Sequence, residues 1–210
     1  MKLKLAALLL GLAVCLATPA FADTFHFDFS SPPGPVGTSH AYTSGSQTIT
    51  AYGFFDPSGD PRELFGKTAG GDESGLGFVD EKDHEIDTLG FIQLDLTTLM
   101  AESPTALSIT IGSVQDGESF ILCASTTLGS KGSACTSPFV GSAFDGVPIV
   151  FGPSDIAFLE ANPFLSVEAS SANVLLMALD ATTPVPEPGS MVLLGSGLLG
   201  LAGTIRRRMK

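Results

Sequence analysis

Short segments that alternate apolar and polar residues most constrain the fold of this 210-residue chain. In the first segment, Phe25, Phe27 and Phe29 alternate with polar residues, which is the period of a half-buried β-strand. The 24 glycines and 14 prolines disfavour a helical bundle, and many of them lie between such segments. The pattern therefore predicts an all-β interior.

Eight strands are predicted, separated by clusters of Gly, Pro, Asp and Ser. They cover residues 25–29, 47–55, 89–96, 107–111, 119–124, 147–151, 164–169 and 173–179. Eight strands without a long helical period favour an antiparallel β-sandwich of the jelly-roll type. A short helical turn is predicted at residues 153–160, with Ser154 as its N-cap.

The first 22 residues have the pattern of a secretory signal peptide. A short cationic start precedes an apolar run at residues 5–16, and small residues around Ala22 end the segment. This order predicts cleavage by signal peptidase after Ala22. The alternative is a buried amphipathic helix, but the run has no polar face. Residues 1–22 are thus predicted to be a signal helix, and residues 23–183 the exported domain.

A three-part segment occupies residues 184–210. Three prolines near its start disrupt regular structure, and an uncharged run follows at residues 191–205. This run predicts a short transmembrane helix, which the flanking residues must extend to cross the bilayer. Arg206, Arg207 and Arg208 would stay cytoplasmic under the positive-inside rule and leave the preceding chain outside. An ordinary tail anchor would explain the span and the arginines, but not the prolines.

The motif Val185-Pro186-Glu187-Pro188-Gly189-Ser190, the apolar run and the basic tail together resemble the PEP-CTERM sorting signal of Gram-negative bacteria. The resemblance implies that an exosortase, a membrane protease, recognises Pro186, Glu187 and Pro188 and cuts near them. It also implies a precursor that transiently spans the inner membrane. The product would be secreted or placed on the cell surface, in bacteria that make exopolysaccharide and biofilm.

The charge of the exported domain is far from zero. The whole chain has 22 acidic and 10 basic residues, but residues 23–185 hold 21 carboxylates and four cations, a net charge of −17. These four cations are Arg62, Lys67, Lys82 and Lys131. Such a charge argues against binding to nucleic acid and suits a calcium-containing exterior.

Residues 56–87 form the densest acidic stretch, and Asp80, Asp83, Glu85 and Asp87 are its candidate metal ligands. Carboxylates on a flexible loop are hard oxygen ligands, which suit calcium. The spacing lacks the glycine and the final glutamate of an EF-hand. A solvated acidic loop is the alternative interpretation. No other cofactor is expected.

Cys123 and Cys135 are the two cysteines that remain after the signal segment is removed. Thiols oxidise outside the cytoplasm, so the pair is predicted to form a structural disulfide. On the chain-entropy model, a bridge over so short a loop stabilises a fold by about 3 kcal/mol.

Motifs for catalysis are missing from the sequence. His26, His40 and His84 are scattered, and neither H-E-x-x-H nor G-x-S-x-G occurs. The chain has no Trp, and only Tyr42 and Tyr52 could add a polar aromatic platform for sugars. We therefore expect that the protein is not an enzyme.

Two runs in the middle of the chain, Gly75-Leu76-Gly77-Phe78 and Phe91-Ile92-Gln93-Leu94, resemble ectodomains that recur on PEP-CTERM proteins. This resemblance implies a sandwich like that of a carbohydrate module. The sequence thus predicts an exported, exosortase-processed protein that is a structural or adhesive component of an exopolysaccharide matrix or biofilm. The alternative is a calcium-dependent carbohydrate-binding module whose partner is a polysaccharide.

Overall fold

Two antiparallel sheets of seven strands each make up most of residues 24–183, which group as one unit. The structure is a computed structural model that describes residues 22–184 and residue 197. The predicted all-β sandwich is confirmed. The predicted signal segment up to residue 21, and nearly all of the predicted sorting segment, lie outside the described residues. Within the described part of the chain, no helix has the length and apolar character needed to cross a membrane.

The described strands are numbered along the chain. They are β1 (Asp23–Asp28), β2 (Gly34–Gly37), β3 (Ser39–Ser44), β4 (Gln47–Phe55), β5 (Leu64–Thr68), β6 (Ser74–Phe78), β7 (Gly90–Asp95), β8 (Ala106–Gly112), β9 (Ser119–Ser125), β10 (Ala134–Cys135), β11 (Phe139–Val140), β12 (Pro148–Val150), β13 (Phe164–Ser171) and β14 (Leu175–Thr183). The α-helices are α1 (Thr97–Ala101) and α2 (Pro153–Ala161), and single 3-10 turns lie at Gly71–Glu73 and Ser142–Phe144.

The first sheet has the strand order β12-β8-β14-β6-β5-β2, and β1 also pairs with β14. The second sheet has the order β10-β9-β13-β7-β4-β3, and β11 also pairs with β9. Leu179 lies opposite Ile109 in the first sheet, and Val167 lies opposite Leu122 in the second. Because β8 belongs to the first sheet while β7 and β9 belong to the second, the chain changes sheet at both connections.

One hydrophobic core joins the inner faces of the two sheets. Phe27 from β1, Ile92 from β7 and Val167 from β13 are each at most 1% exposed. Alternation explains their burial, since every second side chain of a strand points to the same face. Burying a side chain of this size stabilises a fold by about 1.5–3 kcal/mol.

Each of the seven predicted strands after the first overlaps a strand of the structure. The prediction at 47–55 agrees in both bounds with β4, and the others match β7, β8, β9, β12, β13 and β14 with shifted ends. The sequence did not predict β2, β3, β5, β6, β10 or β11.

Residue propensities do not predict β6, because it contains two glycines and glycine is depleted in strands. A Cβ at Gly77 would lie 2.2 Å from the carbonyl oxygen of His84, and one at Gly75 would lie 2.6 Å from that of Leu176. These glycines let neighbouring backbone pack directly against the strand. The close approach places the backbone of His84 and Glu85, which follow β6 in the acidic stretch, directly against this strand.

Helix α2 covers residues 153–161, close to the predicted turn, but the predicted cap was wrong. Gly152 is the N-cap residue, and its backbone N–H donates to Asp155 Oδ2 at 2.8 Å. Pro153 accounts for the shift, since proline favours the first helical position and moves the cap to the residue before it. Ser154 therefore lies inside the helix.

Candidate functional site

An apolar cleft of about 510 Å³ opens at one side of the sandwich. Strands β9, β10, β11 and β13 of the second sheet, β12 of the first sheet and helix α2 form its walls. Val150 and Phe158 on its rim are 73% and 44% exposed. Among the lining residues only Thr136 and Asp155 carry polar side chains, and Asp155 caps α2. The cleft therefore suits an apolar group better than a sugar, which needs several polar partners.

The predicted disulfide between Cys123 and Cys135 is confirmed and forms part of this cleft. The two residues lie directly opposite each other in the β9–β10 pair. Cys123 is buried and Cys135 is exposed. The bridge fixes a strand of only two residues to the sheet, which backbone pairing alone would hold weakly.

Arg62 is the centre of the acidic segment, although its side chain is only 3% exposed. Its Nη1 and Nη2 donate to the two carboxylate oxygens of Asp87 at 2.6 and 3.0 Å, and its Nε donates to Asp80 Oδ1 at 2.7 Å. The guanidinium also stacks over the ring of Phe78, 4.0 Å from its centroid. A planar guanidinium suits such two-point binding of a carboxylate.

The charges of this cluster shift the pKa of both partners. Burial acts to raise the pKa of Asp87, but hydrogen bonds from Arg62 and from the Leu89 N–H outweigh it and lower the pKa. Burial acts to lower the pKa of Arg62, but its bonds to Asp87 and Asp80 outweigh it and raise the pKa. Both groups are therefore held in their charged forms.

Lys67 forms a second cluster with two carboxylates. Its Nζ donates to Glu85 Oε1 at 2.5 Å and to Glu73 Oε2 at 3.1 Å, and Ser113 Oγ donates to Glu85 at 3.0 Å. Burial raises the pKa of Glu85, against the opposing effect of Lys67. This cluster ties the acidic segment to β5 and to the residue after β8.

Lys131 forms a third cluster, on the outer side of the second sheet. Its Nζ lies 2.8 Å from Asp56 Oδ2 and 2.7 Å from Glu168 Oε2. Glu168 is on β13, Asp56 follows β4, and Lys131 is in the loop before β10. Three loops and strands that are distant in sequence thus meet at one ammonium group.

The four residues predicted to bind calcium have different partners in the structure. Asp80 and Asp87 contact Arg62, Glu85 contacts Lys67, and Asp83 is exposed. Within residues 22–184 and 197, no group of three or more His, Cys, Asp or Glu side chains is arranged to hold a metal ion. The calcium site stays a prediction, and two basic side chains bind three of its four carboxylates.

The three histidines lie on different parts of the sandwich. His26 Nδ1 lies 2.6 Å from Asp180 Oδ1 on the exposed surface, whereas His40 packs against Tyr42 and His84 stacks on Phe65. Their separation agrees with the scattered positions in the sequence.

The residues predicted to be processing sites lie only partly within the described residues. Ala22 is exposed and immediately precedes β1, and cleavage after it stays a prediction. The predicted recognition residues Pro186, Glu187 and Pro188 lie outside the described residues, and so does the predicted cytoplasmic stop at 206–208.

Sequence reasoning missed Arg62, Lys67 and Lys131 as organising residues. Their scarcity was the available signal, because a domain with 21 carboxylates and four cations leaves each cation many possible partners. Gln93, which is fully buried and holds the loop before β10, had no such signal.

Comparison with known proteins identifies the segment that follows β14. The model of the PEP-CTERM protein-sorting motif matches residues 184–208. The chain therefore carries a PEP-CTERM protein-sorting motif. The motif implies recognition by an exosortase and an exported, membrane-transiting precursor in a Gram-negative bacterium. No curated protein and no solved structure matches the chain.

Proposed function

We propose that this protein is a non-catalytic structural component of an extracellular polymeric matrix, secreted or held at the cell surface after exosortase processing. The observation that carries the proposal is the sorting motif at residues 184–208, directly after a disulfide-containing β-sandwich that ends at Thr183. Signal peptidase would remove residues 1–22, and the C-terminal segment would span the inner membrane until the exosortase acts.

The distribution of charge supports a role outside the cell. Arg62, Lys67 and Lys131 are each bound by two carboxylates, so their positive charges are neutralised within the fold. Lys82 is exposed. The surface is therefore dominated by carboxylates, which keep an exported domain hydrated and repel anionic lipid and nucleic acid.

The order of the strands favours the jelly-roll variant of the sandwich. The chain changes sheet between β7 and β8, between β8 and β9, and between β13 and β14. Jelly rolls are double-sheet folds with such crossing connections. We propose this topology for the exported domain.

Two observations favour a structural role over calcium-dependent binding of polysaccharide. Tyr42 is 6% exposed, and its hydroxyl has no hydrogen-bond partner among the described residues, so it offers no platform for a sugar. The loop that contains Lys131 covers part of the outer face of the second sheet, at Gln93 and Glu168. An exposed sheet face is where a sandwich would present aromatic rings to a polysaccharide.

The experiment compares the wild-type protein with a variant that carries Pro186→Ala, Glu187→Ala and Pro188→Ala, both expressed in an exosortase-containing bacterium. We expect the wild type in the matrix fraction and the variant in the membrane fraction. A control variant, Lys82→Ala, should fractionate like the wild type. Equal amounts of both in the membrane fraction would contradict the proposal.

A glycan array with and without EDTA distinguishes the structural role from calcium-dependent carbohydrate binding. The structural role predicts no calcium-dependent binding to any glycan. Reproducible binding that EDTA abolishes would contradict it and support the carbohydrate-binding module instead.

A further inference from the structure

The cluster around Lys131 places an amine directly beside two carboxyl groups. Its Nζ is 2.8 Å from Asp56 Oδ2 and 2.7 Å from Glu168 Oε2. The side chains of Lys131, Asp56 and Glu168 are 27%, 23% and 10% exposed, so bulk water reaches them only partly. An amine and a carboxyl group are the two reactants of an amide bond.

Buried hydrogen bonds fix the backbone beside Lys131. Gly129 N–H donates to Gln93 Oε1 at 2.8 Å, and Gln93 Nε2 donates to the carbonyl of Ser130 at 2.9 Å. On the other side, a Cβ at Gly132 would lie 2.3 Å from the carbonyl oxygen of Ala124. The loop is therefore closely packed against the sheet on both sides of the lysine.

Asp56 is equally well fixed. Its backbone N–H donates to the carbonyl of Leu89 at 2.9 Å, directly after β4 ends. Its carboxyl carbon, Cγ, is bonded to Oδ2, and Oδ2 contacts Nζ of Lys131. Holding two reactants at such a distance removes much of the entropic cost of joining them.

We propose that Lys131 and Asp56 form an intramolecular amide bond, with Glu168 as the group that carries the proton. The bond would link the end of β4 to the loop before β10, 75 residues away in the sequence. It would be a second covalent tie in the exported domain besides the disulfide.

The reaction needs no oxidant, reductant or external activator. The ammonium of Lys131 gives a proton to the carboxylate of Glu168, which passes it to the carboxylate of Asp56, and the neutral amine then attacks Cγ of the neutral carboxyl group. One N–C bond forms, and one C–O bond of Asp56 breaks when a second amine proton reaches the departing hydroxyl through Glu168. The second amine proton leaves with that oxygen as water, and Glu168 ends as it began.

The charges of the cluster suit these proton transfers. Burial raises the pKa of Glu168 against the effect of Lys131, which makes its carboxylate a better proton acceptor than an exposed one. Burial acts to lower the pKa of Lys131, but its bonds to Asp56 and Glu168 outweigh it and raise the pKa. The reaction therefore starts from the ammonium, and the adjacent Glu168 supplies the necessary base.

The Lys67 cluster provides an internal comparison. Glu85 matches Glu168 in burial, with side chains that are 8% and 10% exposed. The second carboxylate differs, because the side chain of Glu73 is 40% exposed and that of Asp56 is 23% exposed. A solvated carboxylate retains less proton affinity and admits water. We expect Lys67 to stay unlinked.

Mass spectrometry of the full-length chain tests the proposal. The purified wild type should be lighter by one water than its disulfide-bonded sequence. After reduction and trypsin digestion, a single branched peptide should join Lys131 to Asp56. A folded, disulfide-bonded wild type that retains the full mass would overturn the proposal, and so would a branch that maps to Lys67.

Three variants define the roles of the residues. Lys131→Arg keeps a cation at the site but cannot form the amide, so its mass should show no loss of water. Asp56→Ala should likewise show no loss of water. Glu168→Gln keeps a hydrogen-bonding side chain and should slow formation of the branched peptide about 100-fold. A circular dichroism spectrum matching that of the wild type shows that each variant is folded. An unchanged rate in Glu168→Gln would overturn the assigned role of Glu168.

Discussion

The acidic segment at residues 56–87 and the hairpin closed by Cys123 and Cys135 are two irregular regions that are fastened to the same sandwich by different chemistry. In the first, Arg62 and Lys67 each bind two carboxylates. In the second, a disulfide ties β10 to β9. The contrast teaches that this domain places three of its four cations in ion pairs within its fold, each with two carboxylates. Ion pairs make the first region sensitive to pH, and the disulfide makes the second sensitive to reductant.

Replacing Arg62 should break the first region and cause the largest loss of stability. Arg62→Ala removes the buried partner of Asp87, whose side chain is only 18% exposed, and breaking such a pair typically costs about 3–5 kcal/mol. Urea unfolding followed by circular dichroism measures the change. Arg62→Lys is the matched control and should lose less, because it keeps the charge. A loss below about 1 kcal/mol in Arg62→Ala would mean that this cluster does not hold the segment.

Opening the disulfide should have the next largest effect, confined to the hairpin. The double variant Cys123→Ala, Cys135→Ala should lose about 3 kcal/mol in the free energy of unfolding, because the unfolded chain becomes less constrained. Arg62 and its two carboxylates share no ion pair with the hairpin, so combining the double variant with Arg62→Ala should give nearly additive losses. The contact between Lys131 of the hairpin and Asp56 of the acidic segment is the route by which the two regions would be coupled. Strong non-additivity would show that the two regions are coupled.

Gln93→Leu sharpens the comparison at the loop before β10. The change removes the partners of the Gly129 N–H and the Ser130 carbonyl, and an unsatisfied buried group costs about 1–3 kcal/mol. Hydrogen exchange should show faster exchange at Gly129, with unchanged protection in β5 and β6. Protection that falls equally in both regions would contradict a local role for Gln93.

The pH dependence of stability should have opposite signs at two carboxylates of the acidic segment. Glu85 has a raised folded pKa, so its stabilising contribution is full below the unfolded value near 4.5 and is lost as pH rises through the folded pKa. Asp87 has a lowered folded pKa, so its contribution is full above the unfolded value near 3.8 and is lost as pH falls through the folded pKa.

Urea titrations between neutral and acidic pH measure both effects. The stability difference between wild type and Glu85→Gln should increase as the pH falls towards 4.5. The difference between wild type and Asp87→Asn should decrease below pH 3.8. Each slope is limited to about 1.4 kcal/mol per pH unit for one proton. Parallel slopes for the two variants would contradict the assigned directions.

The sandwich was predictable because alternation reports directly which side chains face a core. Phe25, Phe27 and Phe29 are all buried, as their alternation predicted. Strand β6 was not predicted, because its glycines serve the approach of His84 and Leu176, which are distant contacts that no local pattern reveals.

The candidate site was less predictable than the fold. The disulfide was predicted because thiols oxidise outside the cytoplasm and two cysteines remain after the signal segment, and the structure contains it. The arrangement of the carboxylates depended on where Arg62 lies, which is set by the bridge between Phe54 and Pro61 and by the hydrogen bond from Arg62 N–H to Gly53. Composition alone does not distinguish carboxylates that surround a metal from carboxylates that surround an arginine.

The most direct test of the central claim is mass spectrometry of the termini of the protein recovered from outside the producing cell. Export and exosortase processing predict an N-terminus at Asp23 and no peptide from residues 198–210. An exported protein that still contains its basic C-terminal tail would contradict processing and indicate a permanent anchor.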